Sequence, residues 1–313
     1  MNKCFITGGA GFIGCHLVEK LVNIGKEVLV YDNLSFGRLE NLRDCLNLKN
    51  FIHGDLADYA LLEQTIKEFM PDVVFHLAAI HFIPYCNTHR REAVKVNVDG
   101  THSLLEICSR YKPRKVIFAS TAAVYPPSDN PHKESDRQKP FDIYGATKIC
   151  GETLMQLFNY QSCVPVVICR FFNAYGPKET NDHVIPHIIK QLKVGNDTIQ
   201  IGNVSPRRDY IYTADMVNAL IKVSLGDNGC FEVFNVGTGK EYSVEDLISR
   251  IGSIMGRKLR IESVDQLKRR VERDHLCSDN TRIHEKTGWF PQYDINKGLS
   301  ELMNFEFKES KVK

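Results

Sequence analysis

The chain has 313 residues, 43% of them apolar, and a formal net charge of +2. That length buries one large core or two, and so balanced a charge offers nucleic acid no basic field to bind. No stretch approaches the ~20 apolar residues of a membrane span, Met1-Asn2-Lys3 runs straight into an apolar strand with no signal-peptide pattern, and the cysteines show no CxxC spacing; a cytoplasmic protein with reduced, mostly structural thiols and no metal site is expected.

The first apolar run, 4–7, reads as a strand and passes through Gly8-Gly9-Ala10-Gly11-Phe12-Ile13-Gly14 into a helical pattern from His16 to Val22. Strand, glycine turn and helix in that order make a diphosphate cradle: backbone N–H groups meet at a helix N-terminus, and Gly8, Gly11 and Gly14 keep Cβ atoms out of the way. A second strand, 27–32, ends at Asp32. An acid there accepts hydrogen bonds from an adenosine ribose and repels a 2′-phosphate, which points to NAD rather than NADP. The strand at 50–55 closes on Gly54-Asp55-Leu56; Asp55 reads either as an acceptor for the adenine amino group or as a helix N-cap, and Leu56 as packing on the ring. Further strands fall at 73–79, ending in Leu77-Ala78-Ala79, and at 115–121, 164–171 and 232–236. The first five are spaced as βαβ units, so the expected fold is α/β, a Rossmann-type doubly wound parallel sheet with its ligand edge at the carboxyl ends of the strands. After residue 172 the pattern loosens around Pro177, Pro186 and Pro206. The expected organisation is an NAD-binding domain over 1–172, rejoined by the strand near 232–236, and a smaller C-terminal lobe over 173–313 that holds the substrate.

Tyr144 and Lys148 share one helix face in Tyr-Gly-Ala-Thr-Lys, downstream of Thr121 at a strand end. Lys148 is expected to donate to the nicotinamide ribose and, with the oxidised ring, to lower the Tyr144 phenol from its usual ~10 toward neutrality. Tyr144 then serves as general base toward a substrate alcohol that Thr121 holds by a hydrogen bond.

Together these segments resemble the extended short-chain dehydrogenase/reductases, and within them the NAD-dependent nucleotide-sugar epimerase/dehydratase family, over almost the full length. The matching stretches are Thr7–Gly14, Asp32-Asn-Leu34, Gly54-Asp-Leu56, His76-Leu-Ala-Ala79, Asn97-Val-Asp-Gly-Thr101, Ser120–Tyr125, Tyr144–Lys148, Arg170–Pro177 and Arg208–Tyr212. The resemblance implies cofactor contacts from Phe12, Ile13, Asn33, Leu77, Ala78, Ala79, Asn97 and Phe171. It implies substrate diphosphate contacts from Asn173 and Arg208, a second arginine at Arg269 with Arg270 and Arg273 as alternative registers, and cover for the base from Val184. An Asn turn before Tyr-Gly-Pro, and a surface ion pair of Arg208 with Asp209, are the competing readings.

Where dehydrating relatives carry an Asp-Glu pair after the threonine, this chain has Ala122 and Ala123. The resemblance therefore points to a 4-epimerase acting through a transient 4-keto sugar, with a dehydrogenase or 4-ketoreductase as the alternative and a non-catalytic NAD-binding protein as a distant third. UDP is the implied nucleotide. His81 stands in a loop that faces the sugar in relatives, either contacting a hydroxyl or phosphate or packing for structure. The position gating sugar size is Leu276 if counted from Arg269, disfavouring an N-acetyl group, or Cys277 if counted from Arg270, admitting one. Apolar positions on helices near 99–111 and 144–160 (Leu104, Leu105, Ile107, Cys108; Leu154, Leu157, Phe158) fit either the family's homodimer interface or packing on the sheet.

Overall fold

The computed structural model describes residues 1–226, 229–268 and 273–308. The chain opens with β1 (Lys3–Thr7), β2 (Glu27–Asp32), β3 (Phe51–His53), β4 (Val73–His76), β5 (Lys115–Thr121) and β6 (Val166–Phe171). Then come β7 (Asn173–Tyr175), β8 (Thr198–Ile201), β9 (Arg207–Tyr212), β10 (Phe231–Val236), β11 (Glu241–Ser243) and β12 (Arg260–Ser263). The main sheet has the order β10-β6-β5-β4-β1-β2-β3 with every pair parallel, the doubly wound arrangement expected. Strands β3 and β4 stop earlier than their composition suggests. Gly54–Leu56 and Leu77–Ala79 instead leave the sheet at its carboxyl edge, where they wall a cleft.

Alternation along the strands fills two cores, one on each face. Cys4, Ile6, Val73, Phe75, Ile117, Ala119, Val167 and Cys169 point to the face covered by α1 (Phe12–Asn23). Phe5, Val74, Val116, Phe118, Val166 and Ile168 point to the other, under α2 (Tyr59–Phe69). Two short helices, α3 (Ile83–Thr88) and α4 (Arg90–Val94), lead through a π-helical stretch, Lys95–Asp99, into α5 (Gly100–Tyr111). The long α6 (Ile143–Ser162) starts where the Asp142 carboxylate accepts from the Gly145 N–H at 2.7 Å. In α5 and α6, Leu104, Leu105, Ile107, Cys108 and Phe158 are buried in the core under the sheet, so packing on the sheet accounts for them; Leu157 is left exposed.

The smaller lobe gathers α7 (Val184–Lys193), a three-stranded sheet β11-β9-β7 and the pair β12-β8. Between those strands the chain returns to the main sheet as α8 (Thr213–Leu225), which packs on α1, and then as β10. It goes back to the lobe as α9 (Val244–Met255), returns once more as α10 (Thr281–Thr287) with Trp289, and ends in α11 (Ile295–Lys308). Among the described residues no helix is long and apolar enough to cross a membrane, and no His, Cys, Asp and Glu cluster could hold a metal.

Candidate active site

A cleft of about 1440 Å³ runs along the carboxyl edge of the main sheet and under the smaller lobe. At its floor the β1–α1 turn folds back so tightly that a Cβ on Gly8 would lie 2.6 Å from the Ala78 nitrogen, and one on Gly14 would strike the Gly8 carbonyl. Only glycine leaves this concavity open. Asp32 ties the turn down: its carboxylate accepts from the Ala10 N–H at 2.9 Å and the Leu34 N–H at 2.8 Å. Burial pushes its carboxyl up while those two donors hold it down, and a carboxylate has acceptor capacity beyond two bonds. Asp55 accepts from Asn33 Nδ2 at 2.6 Å and from the Ala57 N–H at 2.8 Å. The N-cap of α2 is Asp58, not Asp55, so Asp55 closes the turn at Ala57 rather than capping the helix.

On the opposite wall, Thr121, Tyr144 and Lys148 converge. Thr121 Oγ1 accepts from the Ala123 N–H at 3.1 Å, and its hydroxyl is close enough to the Tyr144 phenol to hold that group down. Lys148 Nζ donates to the Ala119 carbonyl at 2.7 Å and lies 4.7 Å from the Phe118 ring centroid and 5.9 Å from that of Tyr144. The helix carrying both can sit this close because Gly151 faces Phe118, where a Cβ would come within 2.5 Å of the ring. In the chain alone, Lys148 does not lower the tyrosine. Burial pushes the Tyr144 phenol above its ordinary value against the opposing pull of the Thr121 hydroxyl, and burial pulls Lys148 down to about 7 against the charge of Glu152. Desolvation dominates at both groups, and the ammonium is turned to a backbone carbonyl.

Nearly all the remaining candidates line the same cleft: Gly11, Phe12, Ile13, Leu56, Leu77, Ala78, Ala79, Phe171 and Asn173, with His81, Val184 and Arg208. Asn97 does not. Its amide spans Ile80, accepting from that N–H at 2.8 Å and donating to that carbonyl at 2.9 Å, with a further bond to Thr147. It shapes the loop that forms the wall. Arg208 and Asp209 leave β9 on opposite sides. Arg208 Nη1 donates to the carbonyls of Arg207 and Arg273 at 2.7 and 2.6 Å, while Asp209 is buried among Thr238, Gly239 and Ser278, so the competing reading of an Arg208–Asp209 ion pair does not hold. Arg269 and Arg270 lie outside the described residues. Arg273 is at the cleft wall, its Nη2 3.1 Å from the Ala123 carbonyl. Leu276 faces the cleft and Cys277 does not line it.

Three parts of the site carried no signal strong enough to find in sequence. Behind Tyr144 and Lys148, the Glu152 carboxylate takes bonds from Arg170 Nε and Nη2 at 3.0 and 2.7 Å and from Ser120 Oγ at 2.5 Å; both charged side chains are nearly buried. His76 is fully buried between Thr7 Oγ1 (2.8 Å) and Thr101 Oγ1 (2.9 Å), and burial with the nearby Lys148 charge pulls it down to about 3. Finally, residues 176–183 form an irregular strap over the cleft, bearing Glu179. The Lys148-to-Glu152 spacing and Arg170 could have suggested the first; nothing local marks the third.

This fold and cleft are those of a dinucleotide-dependent enzyme with a Tyr/Lys pair. The chain belongs to the NAD dependent epimerase/dehydratase family, whose pattern matches residues 4–237. It is similar to a UDP-glucose 4-epimerase of Mycolicibacterium smegmatis, with 32% identity over 97% of this chain and 98% of that protein. It is also similar to a UDP-N-acetyl-alpha-D-glucosaminuronate decarboxylase of Bacillus cytotoxicus, with 31% identity over 98% of each chain. A solved UDP-N-acetylglucosamine 4-epimerase of Methanobrevibacter ruminantium, in complex with UDP-N-acetylmuramic acid, superposes with a TM-score of 0.90 at 30% identity, covering 98% of this chain and 99% of that one. The cofactor is NAD, and the glycine turn and the Asp32 carboxylate fit it: the turn leaves the concavity a diphosphate needs, and the carboxylate has acceptor sites left for ribose hydroxyls.

Proposed function

We propose that this protein is an NAD-dependent nucleotide-sugar 4-epimerase acting on a UDP-hexose. The observation that carries the reading is the Thr121–Tyr144–Lys148 set with Ala122 and Ala123 beside it, both buried and both lining the cleft. Such a wall can take and return a proton at one alcohol; beside Thr121, where Ala122 and Ala123 stand, it offers no second acid or base with which to eliminate water. When bound, NAD supplies the acceptor and later the donor of the hydride at C4 and, while oxidised, positive charge that favours the Tyr144 phenolate. Thr121 orients the C4 hydroxyl, Tyr144 Oη takes its proton and afterwards returns it, and Lys148 holds the cofactor ribose. The β1–α1 turn with Gly11, Phe12, Ile13 and Gly14 carries the diphosphate of the cofactor, Asp32 and Asn33 its ribose, and Asp55 and Leu56 its adenine, with Leu77, Ala78, Ala79 and Phe171 completing the wall. Asn173 and Arg208 hold the substrate diphosphate, and Val184 covers its base.

Leu276 on the cleft wall supports a plain hexose over an N-acetylhexosamine, since its isobutyl group fills space an acetamide would need. Exposed Leu157 and Tyr160 on α6 support the association of two copies along that helix, tested by the solution mass at micromolar concentration. Purified protein is incubated with UDP-glucose, UDP-galactose and their N-acetyl counterparts while products are resolved by NMR and NADH is followed by absorbance. C4 interconversion without NADH build-up, lost in Tyr144→Phe, is expected; stoichiometric NADH or a released keto sugar overturns the reading in favour of a dehydrogenase or ketoreductase.

A further inference from the structure

We propose that Glu179, held between His81, Asn181 and His183, is a charge filter that admits a nucleotide hexose with a neutral C6 hydroxyl and rejects the corresponding hexuronate. The inference rests on the reading above in one respect, that the sugar carbon C4 reacts at Thr121 and Tyr144. C6 is borne by C5, the neighbour of C4, so whatever stands beside the reacting groups meets the C6 substituent. The sugar must also present both faces to the cofactor during epimerisation, and the substituent therefore sweeps both sides of the cleft.

Thr121 is flanked by Ala122 and Ala123, whose methyl groups offer a C6 carboxylate no donor, and the Arg273 guanidinium on this wall is turned to the Ala123 carbonyl at 3.1 Å. Elsewhere the cleft wall carries Lys148 and Arg208, each donating to a backbone carbonyl, and the group Glu179, His81 and His183. The Glu179 side chain is only 5% exposed. Its Oε1 accepts from the Asn181 N–H at 2.9 Å, and its Oε2 lies 3.3 Å from His183 Nδ1. His81 Nε2 lies 3.1 Å from Asn181 Nδ2, and its ring is 6.0 Å from that of His183. The cluster lies near the reacting groups: the Lys148 charge disfavours protonation of His81, and Ile80, the residue before it, packs with Tyr144.

The position of Glu179 is fixed by the strap that bears it. His16 Nε2 donates to the Pro177 carbonyl at 2.9 Å, Lys178 Nζ to the Asn41 carbonyl at 3.2 Å, and Thr180 Oγ1 to the Phe36 carbonyl at 3.4 Å. Lys178 is thereby turned toward Asn41 and Glu19. Although burial pushes the Glu179 carboxyl up, His183 and the Asn181 backbone outweigh it and keep the group below the usual carboxylate range. An anchored anion accepts from a hydroxyl at no electrostatic cost, whereas a second carboxylate in the same desolvated space is repelled.

The test is calorimetric titration of NAD-loaded Tyr144→Phe protein with UDP-glucose and with UDP-glucuronate, alone and combined with Glu179→Gln or Glu179→Asp. Tyr144→Phe protein should bind UDP-glucose at least ~30-fold more tightly; Glu179→Gln should narrow that ratio about tenfold while Glu179→Asp, which keeps the charge, preserves it. Equal binding of the two sugars, a ratio unmoved by Glu179→Gln, or a ratio lost equally in Glu179→Asp overturns the filter. So does failure of both sugars to bind. The epimerase reading falls separately, if the native protein does not interconvert C4 epimers; the binding ratio then still decides the filter.

Discussion

Strands β4 and β6 are buried at every position, while β12 of the smaller lobe is exposed at every one. The two regions hold their sides of the cleft differently as a result. The sheet half presents backbone at the glycine turn and strand ends and a few fixed side chains, Asp32, Thr121, Tyr144 and Lys148, with polar groups locked behind them in pairs such as Glu152–Arg170 and His76–Thr101. The lobe and its strap present side chains, Asn173, Glu179, His183, Val184, Arg208 and Leu276, gathered from several separate segments. Backbone geometry serves a cofactor common to a whole family; side chains on an adaptable scaffold can change substrate without disturbing it.

The sharpest way to break this contrast is to remove one atom from the sheet side. Tyr144→Phe is expected to lower kcat by about 10²–10⁴-fold with the fold intact, measured as C4 interconversion by NMR alongside circular dichroism. Next comes the buried pair behind it. Glu152→Ala strands the Arg170 guanidinium and should cost about 3–5 kcal/mol in urea unfolding.

An acid titration probes the same rigidity through His76. Its folded value is depressed from 6.5 to about 3, so between those values the unfolded chain binds a proton that the folded chain does not. Stability is then lost as pH falls from about 6.5 toward 3, and His76→Gln should flatten that part of the slope in thermal unfolding relative to the native protein. On the lobe side, Leu276→Ala should raise kcat/KM for the N-acetyl sugar relative to the plain hexose by roughly tenfold, at a stability cost of about 2–5 kcal/mol because the side chain also packs against Tyr125 and Phe172. Smallest of all, the exposed Arg257–Asp197 pair at 2.7 Å should yield less than about 1 kcal/mol when Asp197 becomes Ala. A cost above that would mean the lobe is built like the sheet half after all.

The same contrast explains what could be read from sequence. Periodicity gave the parallel sheet, because strands buried on both faces must be apolar along their length, and glycines at 8, 11 and 14 announce a backbone site directly. The early ends of β3 and β4 were not legible, since Leu56, Leu77 and Ala79 are as apolar as the strands they leave and turn away only to meet the cleft. The lobe strands β7, β8, β11 and β12 are three or four residues long, too short for alternation to register. Asn97 sits in a recognisable motif, yet the π-helical stretch that aims it at Ile80 is a property of the folded backbone. Glu179 offers no sequence signal at all: its importance lies in a strap whose anchors, His16, Phe36 and Asn41, lie more than a hundred residues upstream.

The chain's repeated crossing between the two halves bears on how such a protein can be re-engineered. Helix α8 covers α1, and β10 pairs with β6 from Phe231 to Val236, so a fragment cut after residue 172 would expose a bare sheet edge and an apolar helix face. The lobes are interleaved like the fingers of two hands and cannot be traded as modules. New specificity has to be grafted loop by loop, and the strap at 176–183, irregular and bounded by β7 and α7, is the segment whose replacement leaves the weave intact.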